Sequence, residues 1–176
     1  KAKAATEVGI ANNTIRLADT ITEADLLALV DQLNNDDSVD GILVQLPLPK
    51  HIDENKIIAA ISPEKDVDAF HPLNVAKLWL KQPCVLPCTP KGIIKLLKRA
   101  NVEIAGKDVV VIGRSNIVGL PVSKLLLNEN ATVTIAHSRT KDLAEVTRRA
   151  DILVVAIGRP KFVTADMVKE GAVVID

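Results

Sequence analysis

The stretch from Lys107 to Leu127, KDVVVIGRSNIVGLPVSKLLL, constrains this chain more than any other. An apolar, β-branched run (Val109, Val110, Val111, Ile112) stops abruptly at Gly113, and a helical pattern begins at Gly119. A buried strand, a glycine turn and a helix start together form a phosphate-binding unit. The glycines let backbone approach a pyrophosphate, and the helix start is expected to present free N–H groups and the positive end of its dipole. Gly113-Arg-Ser-Asn-Ile-Val-Gly119 departs from the usual G-x-G-x-x-G, with Ser115 where the second glycine would stand. The flanking strand and helix supply the context the motif needs, so the segment points to a nucleotide-dependent enzyme.

Composition narrows the class. Hydrophobic residues make up 48% of the 176, and Lys+Arg 22 balance Asp+Glu 22, for a net charge of zero. That balance gives no argument for nucleic acid or an anionic membrane as partner. No apolar run reaches the roughly 18 residues of a membrane span, and no signal peptide is visible. The expectation is a soluble, cytoplasmic protein of one or two small domains. With 2% aromatic residues, the core must be aliphatic. Cys84 and Cys88 read as two reduced thiols. They lack the further ligands of a zinc site, and no metal centre is expected. The chain starts at Lys1 inside a helical run and stops at Asp176 as a strand finishes, so it reads as a fragment lacking both ends.

Along the chain, apolar runs and turn signals alternate. Residues 1–8 read as a helix end closed by Gly9, 13–17 as a strand, and 22–33 as a helix with Thr22 as N-cap and Asp25 at capping-box distance. Residues 41–46 (GILVQL) read as a strand stopped by Pro47, and 53–61 as a short helix. Residues 64–90 read as loop, short helix and linker, and Pro90 fits the first turn of a helix over 90–99. Strands at 108–112, 131–136, 151–156 and 172–175 then alternate with helices at 118–128, 141–149 and 164–169. This order predicts parallel sheet covered on both faces. The fold class is α/β, with two parallel-sheet domains, the second of Rossmann type. The boundary falls near 86–91, giving domains of 1–88 and 89–176.

An NAD-binding fold usually carries an acid about 20 positions after the glycine turn, at the end of the second strand. Here that strand is followed by His137-Ser-Arg-Thr-Lys141, with no carboxylate. Ser138, Arg139 and Lys141, with Arg114 in the glycine turn, suit a 2′-phosphate, which arginine binds through charge-assisted bidentate bonds. NADP is therefore favoured over NAD. His51, His71 and His137 have no metal-like spacing, and His137 is the one nearest the cofactor corner. In the first half, Gln45 is a single amide at the carboxyl end of an apolar strand, where ligands of α/β sheets bind. Lys65-Asp-Val-Asp68 places two carboxylates in a loop. Asp68 can pair with an amino-pteridine or any guanidine-like ligand edge, and Asp66 can cap or pair with Lys65.

Several segments together resemble the bifunctional methylenetetrahydrofolate dehydrogenase/methenyltetrahydrofolate cyclohydrolase family. They are KAKAATEVGI (1–10), LNNDDSVDGILVQLPLP (33–49), PEKDVDAFHPLN (63–74), PCTPKG (87–92), GRSNIVG (113–119), ATVTIAHS (131–138), ADILVVAIG (150–158) and GAVVID (171–176). The resemblance implies a cleft between a folate-binding domain and an NADP domain. It implies oxidation of 5,10-methylenetetrahydrofolate by hydride transfer to NADP⁺, then hydrolysis to 10-formyltetrahydrofolate. By register, the family's essential lysine falls on Lys1, its glutamine partner on Gln45 and its pterin-binding aspartate on Asp68. Val44 and Leu46 flank the substrate site, and Gly113, Arg114, Ser115 and Ser138 match the NADP contacts, with Arg139 beside them. A homodimer acting on tetrahydrofolate derivatives, without nucleic acid or membrane, is implied as well.

The chain departs from the family pattern where Ala69 and Ala76 replace glycines. If either position needs a positive φ, alanine there costs on the order of 1 kcal/mol. Two other readings stay open at this point. One is a truncated or non-catalytic NADP-binding paralogue. The other is a monofunctional NAD-specific dehydrogenase, against which stands the missing acid near Ser138.

Overall fold

A computed structural model describes residues 2–176. Its elements, in chain order, are helices α1 (Ala2–Glu7), α2 (Glu23–Asn34), α3 (Glu54–Ala60), α4 (Pro72–Trp79) and α5 (Cys88–Arg99), strand β1 (Asp108–Ile112), helix α6 (Gly119–Asn128), strand β2 (Thr132–Ala136), helix α7 (Leu143–Thr147), and strands β3 (Ile152–Val155) and β4 (Val173–Ile175).

The second half is built on one four-stranded parallel sheet in the order β2-β1-β3-β4. Alternation along the strands divides its side chains between two faces. Val109, Val111, Ile152 and Val154 pack with Ile93, Ile94 and Leu97 of α5 and with Val122, Leu125 and Leu126 of α6. Val110, Ile112 and Leu153 pack on the other face with Leu143 and Val146 of α7. Both faces are covered, so β1 beyond its exposed first residue, Asp108, and all of β3 are apolar, as a central parallel strand must be. Each fully buried Val, Ile or Leu side chain contributes about 1.5–3 kcal/mol.

The first half has a separate core of Leu26, Val30, Ile42, Ile52, Ile57 and Ile61. The Thr22 hydroxyl accepts the Asp25 N–H at 3.1 Å, so the expected N-cap forms, and it donates to the Asp25 carboxylate at 2.7 Å, a side-chain bond in place of the reciprocal backbone bond of a full capping box. Glu23 ties α2 to α3 by accepting the Asp53 N–H at 2.8 Å and pairing with Lys56 at 2.9 Å. Those two partners hold the Glu23 carboxyl below its ordinary pKa. Asn34 makes a second tie, donating to the Ala60 carbonyl at 2.7 Å and accepting the Ser62 N–H at 2.8 Å.

Three expected elements are corrected. Residues 13–17 form no strand; they are exposed and have no ladder partner among the described residues. The expected strand over 41–46 reduces to one parallel bridge, Ile42 to Asp66, held by the Ile42 N–H donating to the Lys65 carbonyl at 2.7 Å. A β-branched, apolar run is extended there, but a strand needs successive rungs to a neighbour. The expected helix over 164–169 is a single 3₁₀ turn, Ala165–Met167. In the linker, α5 begins at Cys88, so Pro90 is its third residue.

Candidate functional site at the carboxyl ends of the strands

The sheet order places β2 on one side of β1 and β3, then β4, on the other. Chain connections diverge between β1 and β3, which makes that gap the topological switch point where α/β sheets bind ligands. A cleft of about 650 Å³ opens there. Its walls include Ser115 and Val118 after β1, Ala156 and Gly158 after β3, and Thr89 and Gly92 of α5.

The glycine turn is forced by close backbone approach. A Cβ on Gly113, whose φ is +123°, would collide with the Ala156 carbonyl. One on Gly119 would collide with the Gly113 carbonyl and the Arg114 nitrogen. Both glycines are therefore required before any ligand is considered.

Ser115 overturns one expectation. Its Oγ accepts the N–H groups of Val118 and Gly119, both at 3.3 Å, and its carbonyl accepts the Leu120 N–H at 3.0 Å. Pro121 has no N–H. The first turn of α6 is thus satisfied internally rather than presenting free donors. A hydroxyl folding back on backbone three residues ahead is a known competitor for such groups.

The register pairs Ile112 with Ala136, and the Gly113 N–H donates to the Ala136 carbonyl at 2.9 Å. The glycine turn and the turn after β2 therefore leave the sheet side by side. Arg114 emerges from one, Ser138 and Arg139 from the other, and all three are exposed. Two guanidinium groups and a hydroxyl on adjacent turns, with no carboxylate between His137 and Lys141, fit a phosphate monoester better than a ribose diol.

In the first half, the Ile42–Asp66 bridge sends two segments off from one rung in the same direction. One carries Val44, Gln45 and Leu46; the other carries Asp68. Gln45 is exposed and its amide donates to the Leu46 carbonyl at 2.9 Å. Val44, Leu46 and Asp68 are half-buried. The following peptide, Leu46–Pro47, is cis. Lys1 lies outside the described residues.

Lys65 and Asp66 do not pair with each other. The Lys65 ammonium donates to the carbonyls of Leu33, Asn34 and Asp36, at 3.0, 2.8 and 2.8 Å, and so closes the carboxyl end of α2. Asp66, buried, accepts the His71 N–H at 2.8 Å and Asn74 Nδ2 at 2.9 Å. Asn74 and Thr89 lie in the segments 63–74 and 87–92 that carry the resemblance, but neither is among the site residues expected from the sequence. Of the two alanine departures, Ala69 does sit at φ +59°, whereas Ala76 lies within α4 and needs no positive φ. Cys84 and Cys88 are free thiols, and burial pushes the Cys84 thiol up.

Comparison with known proteins gives this geometry a family. Residues 1–68 match the family described as tetrahydrofolate dehydrogenase/cyclohydrolase, catalytic domain, and residues 87–176 match its NAD(P)-binding domain. The chain belongs to the tetrahydrofolate dehydrogenase/cyclohydrolase family. It is 62% identical over all 176 residues to the bifunctional protein FolD of Bacillus cytotoxicus, covering 62% of that protein. It superposes on the FolD structure from Campylobacter jejuni with a TM-score of 0.94 at 52% identity, covering 98% of this chain and 62% of that one. The Trypanosoma brucei FolD, complexed with NADP cofactor and inhibitor, gives 0.93 at 43% identity, covering 98% of this chain and 59% of that one. The chain thus spans about three-fifths of the length of these family members.

Proposed function

We propose that this chain provides the NADP-binding and folate-binding surfaces of a methylenetetrahydrofolate dehydrogenase/methenyltetrahydrofolate cyclohydrolase. The carrying observation is the cleft at the β1/β3 switch point beside the paired turns that display Arg114, Ser138 and Arg139. Similarity to bifunctional FolD proteins and to a FolD solved with NADP supports the same reading. We propose residues 1–88 as the folate half and 89–176 as the NADP half. Separate aliphatic cores support the division, although Leu78 already packs with the second.

Arg114, Ser138 and Arg139 hold the 2′-phosphate, and the turn between Gly113 and Gly119, which includes Ser115, runs beneath the pyrophosphate. NADP⁺ supplies the hydride acceptor. Asp68 pairs with the amino-pteridine edge, while Val44 and Leu46 flank the ring. Holding both reactants in one geometry is worth several kcal/mol, roughly 7 or more in well-oriented cases. Gln45 and Lys1 serve the hydrolytic step: an amide orients the attacking water, and a lysine amine moves the proton. A cytoplasmic homodimer acting on tetrahydrofolate derivatives completes the reading.

The test is cofactor reduction by the purified protein with 5,10-methylenetetrahydrofolate, run with NADP⁺ and NAD⁺ in parallel. Turnover favouring NADP⁺ is expected. Binding of NADP⁺ without turnover would leave a non-catalytic NADP-binding paralogue, and turnover favouring NAD⁺ would overturn the cofactor assignment.

A further inference from the structure

The turn after β2 is closed by two side chains to which the reading above gives no role, His137 and Thr140. Thr140 Oγ1 accepts the His137 N–H at 2.9 Å. His137 Nδ1 accepts the Arg139 N–H at 3.1 Å. The Thr140 N–H donates to the His137 carbonyl at 2.9 Å. Three hydrogen bonds over four residues leave the backbone of this turn little freedom. A backbone N–H only donates, so Nδ1 carries no proton and the neutral ring keeps its proton on Nε2. Burial follows the same division. His137 and Thr140 are half-buried at the flanks, and Ser138 and Arg139 are exposed at the tip. The base of the turn is fastened to the glycine turn by the Gly113 N–H to Ala136 carbonyl bond, which sets its place relative to Arg114.

We infer that His137 and Thr140 are positioning residues for cofactor discrimination. They set the backbone from which Ser138 and Arg139 meet a 2′-phosphate without forming that contact themselves. This rests on the NADP reading above. A loose turn would have to be ordered on binding, and that conformational entropy would be subtracted from NADP affinity. A turn already closed has that ordering behind it. NAD lacks the 2′-phosphate and gains nothing from the tip, so opening the turn weakens NADP alone.

The test is the dissociation constant for NADP⁺ and for NAD⁺, measured by titration calorimetry on the wild-type chain and on His137→Leu, His137→Asn, Thr140→Val and Thr140→Ser. Losing one such hydrogen bond is expected to weaken NADP⁺ about 5- to 20-fold in His137→Leu and Thr140→Val, with NAD⁺ unchanged within about twofold. Asn at 137 accepts the N–H two residues on through its own side chain, and Ser at 140 keeps the hydroxyl, so both restore most of the NADP⁺ affinity. A wild-type NADP⁺:NAD⁺ ratio in both His137→Leu and Thr140→Val overturns the inference. So does an equal loss for both cofactors, because that is the mark of a merely structural role. A wild-type chain with no preference for NADP⁺ is a different result: it overturns the NADP reading itself and takes this inference with it. Thermal unfolding of each variant identifies any that fails to fold, and the variant at the other position then decides.

Discussion

The Asp66 carboxylate and the Asn74 amide are hydrogen-bonded at 2.9 Å, and both side chains are buried, 3% exposed each. Asn74 uses its second amide hydrogen on the Pro63 carbonyl at 2.8 Å, and Asp66 uses a carboxylate oxygen on the His71 N–H as well. This network closes the loop that carries Asp68 and seats the start of α4. Removing one member leaves buried donors without an acceptor, which costs more than the bond itself contributed. Asp66→Ala is expected to lower stability by about 2–4 kcal/mol. Asp68→Ala, at a half-buried position, is expected to cost well under half of that. Urea unfolding of both variants checks the contrast, and equal losses would show that Asp66 is not the loop's anchor.

Ala69 occupies a left-handed backbone at φ +59° and is 2% exposed. Three terms decide what a glycine there would do. Relief of the left-handed strain returns about 1–2 kcal/mol. Loss of a buried methyl removes about 0.8 kcal/mol. The freer unfolded chain removes a further 0.4–1 kcal/mol or so. These nearly cancel, so Ala69→Gly is expected to move stability by less than about 1 kcal/mol, which explains how the family's glycine can be dispensed with here. Ala69→Val combines a β-branched side chain, a positive φ and a closed site, and is expected to cost about 2 kcal/mol or more. Thermal unfolding of the pair is the check.

The legible parts of the sequence were those whose cause is local. Four β-branched or aliphatic residues before Gly113 make β1, and Thr22 with Asp25 makes the cap of α2. The first-half strand over 41–46 was not legible, because a strand exists only through its neighbour, and Ile42 finds a single rung. Asp66 read as a cap or as a partner of the adjacent Lys65. Their reach is longer than that adjacency: the ammonium goes to the negatively polarised carboxyl end of α2, and the carboxylate to α4. Ser115 read as an NADP contact standing where the second glycine would be, and its hydroxyl also has a role toward its own helix, accepting the Val118 and Gly119 N–H groups. The available signal was a serine just ahead of a helix start, where hydroxyls commonly bond to backbone. The adjacency of Arg114 to Ser138 and Arg139 follows from strand order, which the alternation of strands and helices implies but does not number.

The glycine turn makes a prediction independent of any ligand. Gly119→Ala would drive a Cβ into the Gly113 carbonyl, and neither backbone can yield without moving β1 or α6. A loss of about 2 kcal/mol or more is expected, with NADP⁺ affinity falling alongside it. Gly92, inside α5, has nothing within 4 Å of an added Cβ. Gly92→Ala is expected to stabilise the chain by about 0.5–1 kcal/mol through helix propensity. Opposite signs for the two Gly→Ala changes in chemical unfolding would confirm that close approach, not glycine as such, is what the turn requires.

At the opposite end of the sheet, Asp151 joins three elements. Its carboxylate accepts the Lys169 ammonium at 2.6 Å and the Asp108 N–H at 3.0 Å, and its own N–H donates to the Asp108 carbonyl at 2.8 Å. Those partners, Lys169 first, hold its carboxyl below the ordinary aspartate value. A carboxylate whose pKa is depressed by folding binds its proton more weakly folded than unfolded. Its contribution is therefore fully present above the unfolded value near 4 and is lost as pH falls through the folded value. Asp151→Asn removes that titration. The wild-type chain is expected to lose melting temperature below about pH 4 more steeply than Asp151→Asn, while the two differ by a constant amount from about pH 5 to 8. Parallel melting curves across the acid range would show that the Lys169 contact is too solvated to couple to folding, as exposed ion pairs often are.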